Sequence, residues 1–297
     1  MKGEWVLIKR NVRMFFKDPG MLFTSMITPL ILLVLYATFL ANVYRDAFVS
    51  SFAGFTFEES LVNGLVGGQL FSSLLAVSCV TVAFCSNLLM VQDRVSGARA
   101  DLLMTPVKRS SLAVAYFAAT FLVTLMIALV ATAASLIYVG CVGFYLSFWD
   151  VLLILVDVLL LVTFGTAFSS IVNYFLTTQG QMSAVGTIVS SCYGFICGAY
   201  MPISSFSEGL RNVLVFLPGT YGTSLLRNHA LAGVFREMES LSVPSAVIES
   251  VRDSVDCNIY FFETQVPGYV MYLMLGGFSL LLFGGFVLIN KLDKRKD

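Results

Sequence analysis

Apolar residues in this chain gather in long runs separated by short polar connections, a spacing that matches no soluble strand or surface helix. Six runs, 21–41, 65–91, 112–139, 149–174, 182–203 and 268–290, reach the roughly 20 residues that a helix needs to cross a hydrocarbon core. Strands of a membrane barrel would instead alternate over segments of about ten residues. The pattern therefore predicts an all-α, polytopic membrane protein with about six transmembrane helices, built as one domain over residues 1–297.

Two segments outside these runs have patterns of their own. Over 4–17, Trp5, Ile8, Val12, Phe15 and Phe16 fall on one helical face and Lys9, Arg10, Arg13 and Lys17 on a neighbouring one. Such a basic amphipathic helix is expected to lie in the membrane interface, its cations toward anionic headgroups. Asp18-Pro19-Gly20 then turns the chain into the first run. The long connection 204–267 is expected to be extracytoplasmic. It holds a semi-apolar stretch from Leu210 to Leu217, a break at Pro218-Gly219, and a second stretch from Thr220 to His229. Both are too short to span and read as shallow re-entrant or interfacial helices. Further on, Val247, Val251 and Val255 recur every four residues opposite Glu249, Arg252, Asp253 and Asp256, an amphipathic helix packing on something outside the membrane.

Composition agrees. Hydrophobic residues make up 58% of the chain and charged residues 12%, where a soluble domain carries about 25% charged. With 18 basic and 18 acidic residues the net charge is zero, and nothing points to nucleic acid. Cys79, Cys85, Cys141, Cys192 and Cys197 sit in or at the end of apolar runs and read as small buried hydrophobes, with Cys257 a free thiol in the polar segment. There is no CxxC pair and one histidine, His229, so no metal site is expected. The first run lacks a following small-residue cleavage site and is expected to stay as a signal-anchor.

The distribution of Lys and Arg sets an expected orientation. The N-terminal segment carries Lys2, Lys9, Arg10, Arg13 and Lys17; the connection between the second and third runs carries Arg94, Arg99, Lys108 and Arg109; the tail carries Lys291, Lys294, Arg295 and Lys296. The first loop on the other side has only Arg45, and the long 204–267 loop has Arg211, Arg227, Arg236 and Arg252. Both termini are therefore expected in the cytoplasm.

Candidate chemistry is sparse. The connection 92–109 reads either as a short surface helix presenting Leu102, Leu103 and Met104 to a partner or lipid, or as an ordinary solvated loop. Asp157, well inside the fourth run, is expensive in lipid unless paired, protonated or facing water; it reads as a pathway or subunit-interface residue, or as a group near the outer interface bonded to a neighbouring hydroxyl. Asn87, Gln69, Thr124, Thr132 and Ser135 could bond between helices, and Gly67-Gly68, Gly276-Gly277 and Gly284-Gly285 allow close helix approach. No H-E-x-x-H, no intramembrane nucleophile–base pair and no G-x-x-x-x-G-K-[ST] phosphate loop occurs, so the chain is not expected to be an enzyme or to bind ATP itself. An ion-coupled carrier or channel, or a membrane scaffold, fits these features as well as a subunit driven by a partner does.

One resemblance narrows the choice. The order acidic-Arg-x-x-Gly, then Leu-Leu, then Thr-Pro-Val and a basic residue is similar to the cytoplasmic loop of the type-2 ABC exporter permeases; Asp93, Arg94, Gly97, Leu102, Leu103, Thr105, Pro106, Val107 and Arg109 carry it. The acidic residue often found soon after that glycine is absent, Ala98 and Arg99 standing there. Around the end of the fifth run, Gly198, Pro202, Pro218, Tyr221, Leu226 and Arg227 resemble the same family's Gly-x-x-x-Pro … Pro-x-x-Tyr … Leu-Arg order. The two matches cover about fifty residues. The resemblance implies a permease half that pairs with a second half, expected to be an identical chain, and docks on separate ABC ATPase subunits that bind ATP and Mg. The 92–109 connection would be the ATPase coupling loop. The implied role is outward movement of an amphipathic, lipid-like, drug, peptide or glycan-lipid substrate across a plasma membrane.

Overall fold

The computed structural model describes residues 2–51, 58–262 and 264–292, so the tail cations Lys294, Arg295 and Lys296 lie outside the described residues. Helix α1 (Lys2–Lys17) leads into α2 (Pro19–Leu35), which passes through a π-helical turn (Tyr36–Leu40) into α3 (Ala41–Ser51). Then come α4 (Glu59–Val95), the short α5 (Ala98–Leu103), α6 (Arg109–Val142), α7 (Phe148–Tyr174) and α8 (Gln179–Ile196). A 3-10 turn (Ile203–Ser205), α9 (Glu208–Val215), α10 (Pro218–Ser240), α11 (Ser245–Ser254), a two-stranded antiparallel hairpin pairing Tyr260 with Gln265, and α12 (Gly268–Leu292) complete the order.

Local chemistry explains the starts of several helices. Asp18 caps α2, its Oδ1 accepting from the backbone N–H of Gly20 at 2.9 Å and Met21 at 3.2 Å, with Pro19 in the first turn. Ser147 with Asp150 and Thr178 with Gln181 form capping boxes at α7 and α8. The π-turn widens the first long helix where the Tyr36 hydroxyl donates to the Val66 carbonyl at 2.7 Å.

Five helical stretches among the described residues are long and apolar enough to cross a membrane: Pro19–Asp46, Glu59–Val95, Arg109–Val142, Phe148–Tyr174 and Gly268–Leu292. The chain is thus an all-α, multi-pass membrane protein. The predicted run 182–203 is different: it forms α8, 18 residues or about 27 Å, which falls outside that set. Gln179 and Gln181 open it, and the chain turns at Cys197-Gly198. Helix α10 takes over where α8 stops. Along α4, α8 sets Gly186 against Leu88, and α10 sets Leu231 against Gly68 and Val234 against Gly64; the two helices meet at Tyr193 and Gly219.

The sequence expectation for 204–267 also needs correction at α10. Its 23 residues run on past His229 to Ser240, because Arg227, Leu231, Val234 and Met238 form one buried stripe through the charged 236–239 segment. Helix α11 does pack as an amphipathic helix, with Ile248, Val251 and Val255 against Tyr44, Phe48 and Phe235. Asp256, expected on its polar face, is instead buried.

Helix α4 is the centre of the bundle, packed by α2, α6, α7, α8 and α10. In lipid, burial of apolar groups gives no net hydrophobic gain between helices, so close packing and hydrogen bonds hold them. The small residues of α4, among them Gly67, Gly68, Ser72, Ser73, Ala76 and Ala83, allow that closeness. Their hydroxyls are satisfied locally: Ser72 donates to the Gly68 carbonyl at 2.9 Å and Thr81 to that of Val77 at 2.9 Å. Asn87 donates across to Ser169 at 3.1 Å and Ser170 at 3.0 Å on α7. Added side chains at Gly276, Gly277 and Gly284 would meet nothing within 4 Å, so these glycines do not serve close packing inside the chain. All six thiols are free as expected, but Cys141 and Cys192 are exposed rather than buried, and Cys257 of the polar segment is buried.

Candidate coupling elbow and distal polar hub

The bundle has two ends: a proximal end, holding α1, α5 and the last turn of α12, and a distal end, holding α3, α11 and the later half of α10. At the proximal end α4 stops at Val95 and the chain reverses through Gly97, whose φ of +80° lies in the left-handed region. Only glycine enters that region without strain. Helix α5 follows, and Thr105-Pro106 close the elbow before α6. Thr105 Oγ1 donates to the Leu102 carbonyl at 2.6 Å.

The motif residues of this elbow divide by direction. Asp93 is 3% exposed and faces inward. Its Oδ2 accepts from Arg10 Nη1 at 2.6 Å and from the Tyr116 hydroxyl at 2.6 Å, and its Oδ1 accepts from Arg10 Nη2 at 3.0 Å. One carboxylate thus ties α1, α4 and α6 together. Its hydrogen bonds raise the pKa of Arg10 further above the ordinary guanidinium value. Arg94 caps the end of α7, Nη1 donating to the carbonyls of Tyr174 at 2.7 Å and Leu176 at 2.8 Å, with the guanidinium 5.5 Å from the Tyr174 ring centroid. Leu102 and Leu103 are half-buried against a cluster with Leu7, Met90, Leu112 and Phe286 rather than presented outward. A six-residue helix has one inward stripe, and they share it with the buried Arg99. The outward surface consists of Val95, Ser96, Gly97, Asp101, Met104, Thr105, Pro106 and Lys108, with Met104 88% exposed; Arg109 is half-buried at the start of α6.

The second motif assembles where α8 gives way to α10. Arg227 is 1% exposed. Its Nη1 lies 3.3 Å from Asp256 Oδ2; its Nη2 donates to the Gly198 carbonyl and, at 3.4 Å, to Ser73 Oγ on α4. Asp256 in turn accepts from the backbone N–H of Ile203 and, at 3.2 Å, of Ser204, the two residues after Pro202. Gly198 has φ +76°, and a Cβ there would stand 2.8 Å from Ile203 Cγ1. Pro218 opens α10 and Tyr221 is buried one turn on. Gly198, Pro202 and Arg227 are therefore brought to one hub, with Asp256 as the carboxylate that sequence reasoning placed on a surface. Four-residue spacing suggested exposure there; the positive φ of 52° at Asp256 turns it inward.

Asp157 is 0% exposed. Its Oδ2 lies 2.6 Å from His229 Nδ1 on α10, and its Oδ1 accepts from the Tyr272 hydroxyl on α12 at 2.6 Å. It meets partners within the chain on both oxygens. Below it on α7, Asp150 pairs with Arg236 of α10. Helix α10 thus brings three cationic or titratable side chains to three acids.

A groove of about 900 Å³ runs between α2 and α8 over α4. Met21, Ile31, Leu35 and Phe195 supply apolar walls, Thr24, Thr28, Ser183, Thr187 and Ser190 a line of hydroxyls, and Asp18, Gln92 and Gln179 one mouth. The exposed face of α8 mixes Gln181, Ser183, Thr187 and Ser191 with the apolar Ile188 and Phe195. By contrast α12 exposes Leu273, Leu280, Leu281 and Leu288, and α6 exposes Val130 and Ile137, as helices that meet lipid do. Among the described residues no cluster of His, Cys, Asp or Glu could hold a metal ion.

A comparison with individually characterised proteins gives no match. The family model described as ABC-2 type transporter matches residues 3–230, from α1 through the elbow to the middle of α10, and takes in Gly198, Pro202 and Arg227 of the hub but not Asp256. The chain belongs to the ABC-2 type transporter family, and it is a permease component of an ABC transporter.

Proposed function

We propose that this permease moves an amphipathic substrate, a lipid, drug, peptide or glycan-linked lipid, outward across a plasma membrane, driven by ATP and Mg bound on separate ABC ATPase subunits. The observation that carries this reading is the division of labour at the elbow. Asp93 and Arg94 anchor it to α1, α6 and α7, while the Met104-Thr105-Pro106 rim projects into solvent. A rim held this way transmits a push into three long helices at once. Lys9, Arg13, Arg99, Lys108 and Lys291 lie at the proximal end, which supports a cytoplasmic position for it and for both termini. Helices α8 and α10 together complete the sixth crossing that this topology needs.

A second copy of the chain covers the α8 face. Hydroxyl-bearing residues favour helix association over lipid contact, and the α2–α8 groove, which Ser183, Thr187 and Ser191 themselves line, then becomes the wall of a pathway between two halves. Its apolar walls and line of hydroxyls suit a molecule with a hydrocarbon portion and an uncharged polar portion. Reconstitution of the chain with its ATPase in vesicles tests the reading. ATP-dependent accumulation of a labelled amphiphile, absent with a hydrolysis-deficient ATPase, is the expected result. Transport that follows an ion gradient with no ATPase present would instead favour an ion-coupled carrier.

A further inference from the structure

Helix α1 has two unlike faces. Leu7, Asn11 and Phe15, four residues apart, are buried in the bundle. Lys9, Arg13 and Lys17, also four apart, are exposed, and Trp5, Val6 and Phe16 are exposed beside them. That spacing places each set on one stripe of the helix. The acid of α1, Glu4, is taken up by a hydrogen bond from Ser111 on α6, which holds its carboxyl below the usual range. Arg10 is likewise withdrawn from the basic stripe by its two-point contact with Asp93.

These contacts also fix the depth of α1. Asp93 and Arg94 on α4, and Lys108 and Arg109 at the start of α6, are the first charges beyond the apolar runs. Arg10 meets Asp93 and Glu4 meets Ser111, so α1 lies where hydrocarbon gives way to headgroups. From that level a mechanical route leads onward. Asp93 precedes Arg94, which grips the end of α7, and Val95, where the elbow begins.

We propose that the Lys9, Arg13 and Lys17 stripe of α1 binds anionic lipid headgroups, and that the Arg10–Asp93 pair passes its occupancy to the α4–α5 elbow. Charge complementarity selects the occupant: three cations in one row gain from a net negative headgroup and not from a zwitterionic one, at about fivefold in local lipid preference per cation. The exposed Trp5 and Phe16 beside the row suit acyl chains, which a soluble anion lacks. The lipid surface stands apart from the transport reading; its consequence for ATPase coupling rests on that reading.

Trp5 and Trp149 are the two tryptophans of the chain, so Trp149→Phe leaves Trp5 as the reporter. The full chain is placed in phosphatidylcholine nanodiscs containing equal fractions of brominated phosphatidylglycerol or brominated phosphatidylcholine. Quenching of Trp5 is expected to be about twofold stronger with the brominated anionic lipid, and the difference is expected to vanish in Lys9→Gln/Arg13→Gln/Lys17→Gln. In the same anionic discs, amide exchange across 95–105 is expected to slow relative to pure phosphatidylcholine, and Arg10→Gln to abolish that slowing while keeping selective quenching. Equal quenching by the two brominated lipids in the wild-type background overturns the lipid surface. Selective quenching with identical elbow exchange in both discs overturns the link through Arg10.

Discussion

Arg10 and Asp93 stand 83 positions apart in the chain, yet each guanidinium Nη meets one carboxylate oxygen, at 2.6 and 3.0 Å. Paired geometry of this kind is stronger than a single contact and fixes orientation as well as distance. Asp93→Ala would leave the Tyr116 hydroxyl without its acceptor and Arg10 without its carboxylate, with only Asn11 Oδ1 still accepting from it at 2.8 Å. Arg10→Ala would leave a buried carboxylate short of its charge partner. Each is expected to lower stability by about 2–4 kcal/mol, read as a fall in melting temperature in detergent. The double substitution should cost about 1–3 kcal/mol less than the sum of the two. Strict additivity would contradict the pairing.

Two glycines separate backbone strain from crowding. Gly97 has φ +80° with open space around it, so Gly97→Ala should cost about 1–2 kcal/mol from backbone strain alone, and Gly97→Asn less. Gly198 has φ +76° and a would-be Cβ 2.8 Å from Ile203 Cγ1. Gly198→Ala should therefore cost about 1–3 kcal/mol more than Gly97→Ala. Thermal unfolding of the three variants checks the order.

The buried Asp157 cluster gives a third expectation. Asp157→Ala strands the Tyr272 hydroxyl and His229 and should destabilise by about 3 kcal/mol. Replacing all three, as Asp157→Leu/His229→Leu/Tyr272→Phe, should recover much of that loss, because an apolar set of similar size needs no partners. If the triple variant folds and still transports, the cluster is a structural tie between α7, α10 and α12. Loss of transport in a folded triple variant would make it part of the pathway.

Thiol reactivity checks the distal packing. Burial pushes the Cys257 thiol from 9.0 up to about 12, which lowers its thiolate fraction near neutral pH by about a thousandfold. Cys141 is exposed at the end of α6. A water-soluble maleimide at pH 7.5, read by mass spectrometry, should modify Cys141 in the folded protein and leave Cys257 unmodified until unfolding. Equal labelling of the two would contradict the distal packing described above.

Much of this architecture is written in local pattern. Residues 149–174 appear as α7 over Phe148–Tyr174 because hydrocarbon thickness sets one length scale for both run and helix. The elbow was legible from Gly97 and from Thr105-Pro106, where backbone chemistry is local. The partners of Asp93 and Arg227 were not. Arg10 and Tyr116 reach Asp93 from other helices, and nothing near 93 in the chain announces them. Asp256 follows Arg252 and Asp253 in a long polar connection, so spacing reads it as a surface group, while Arg227 lies in a semi-apolar stretch where nothing nearby announces a carboxylate partner. Only the fold shows them closing on Gly198 and Ile203. The crossing proposed for α8 with α10 is hidden for a related reason: neither piece is long and apolar enough alone, and hydropathy does not join segments separated by a turn.

A separate ATPase subunit is expected to dock on the proximal elbow, and a photo-reactive residue at Met104 would report that contact. Met104 is 88% exposed and holds no packing position, so the substitution should leave the fold intact. Irradiation of membranes containing the chain and its transporter partners should yield a covalent adduct with an ABC ATPase, while the same probe at Leu280, on the lipid-facing side of α12, should not. An active transporter that gives the ATPase adduct from neither position, or from Leu280 alone, would contradict the account.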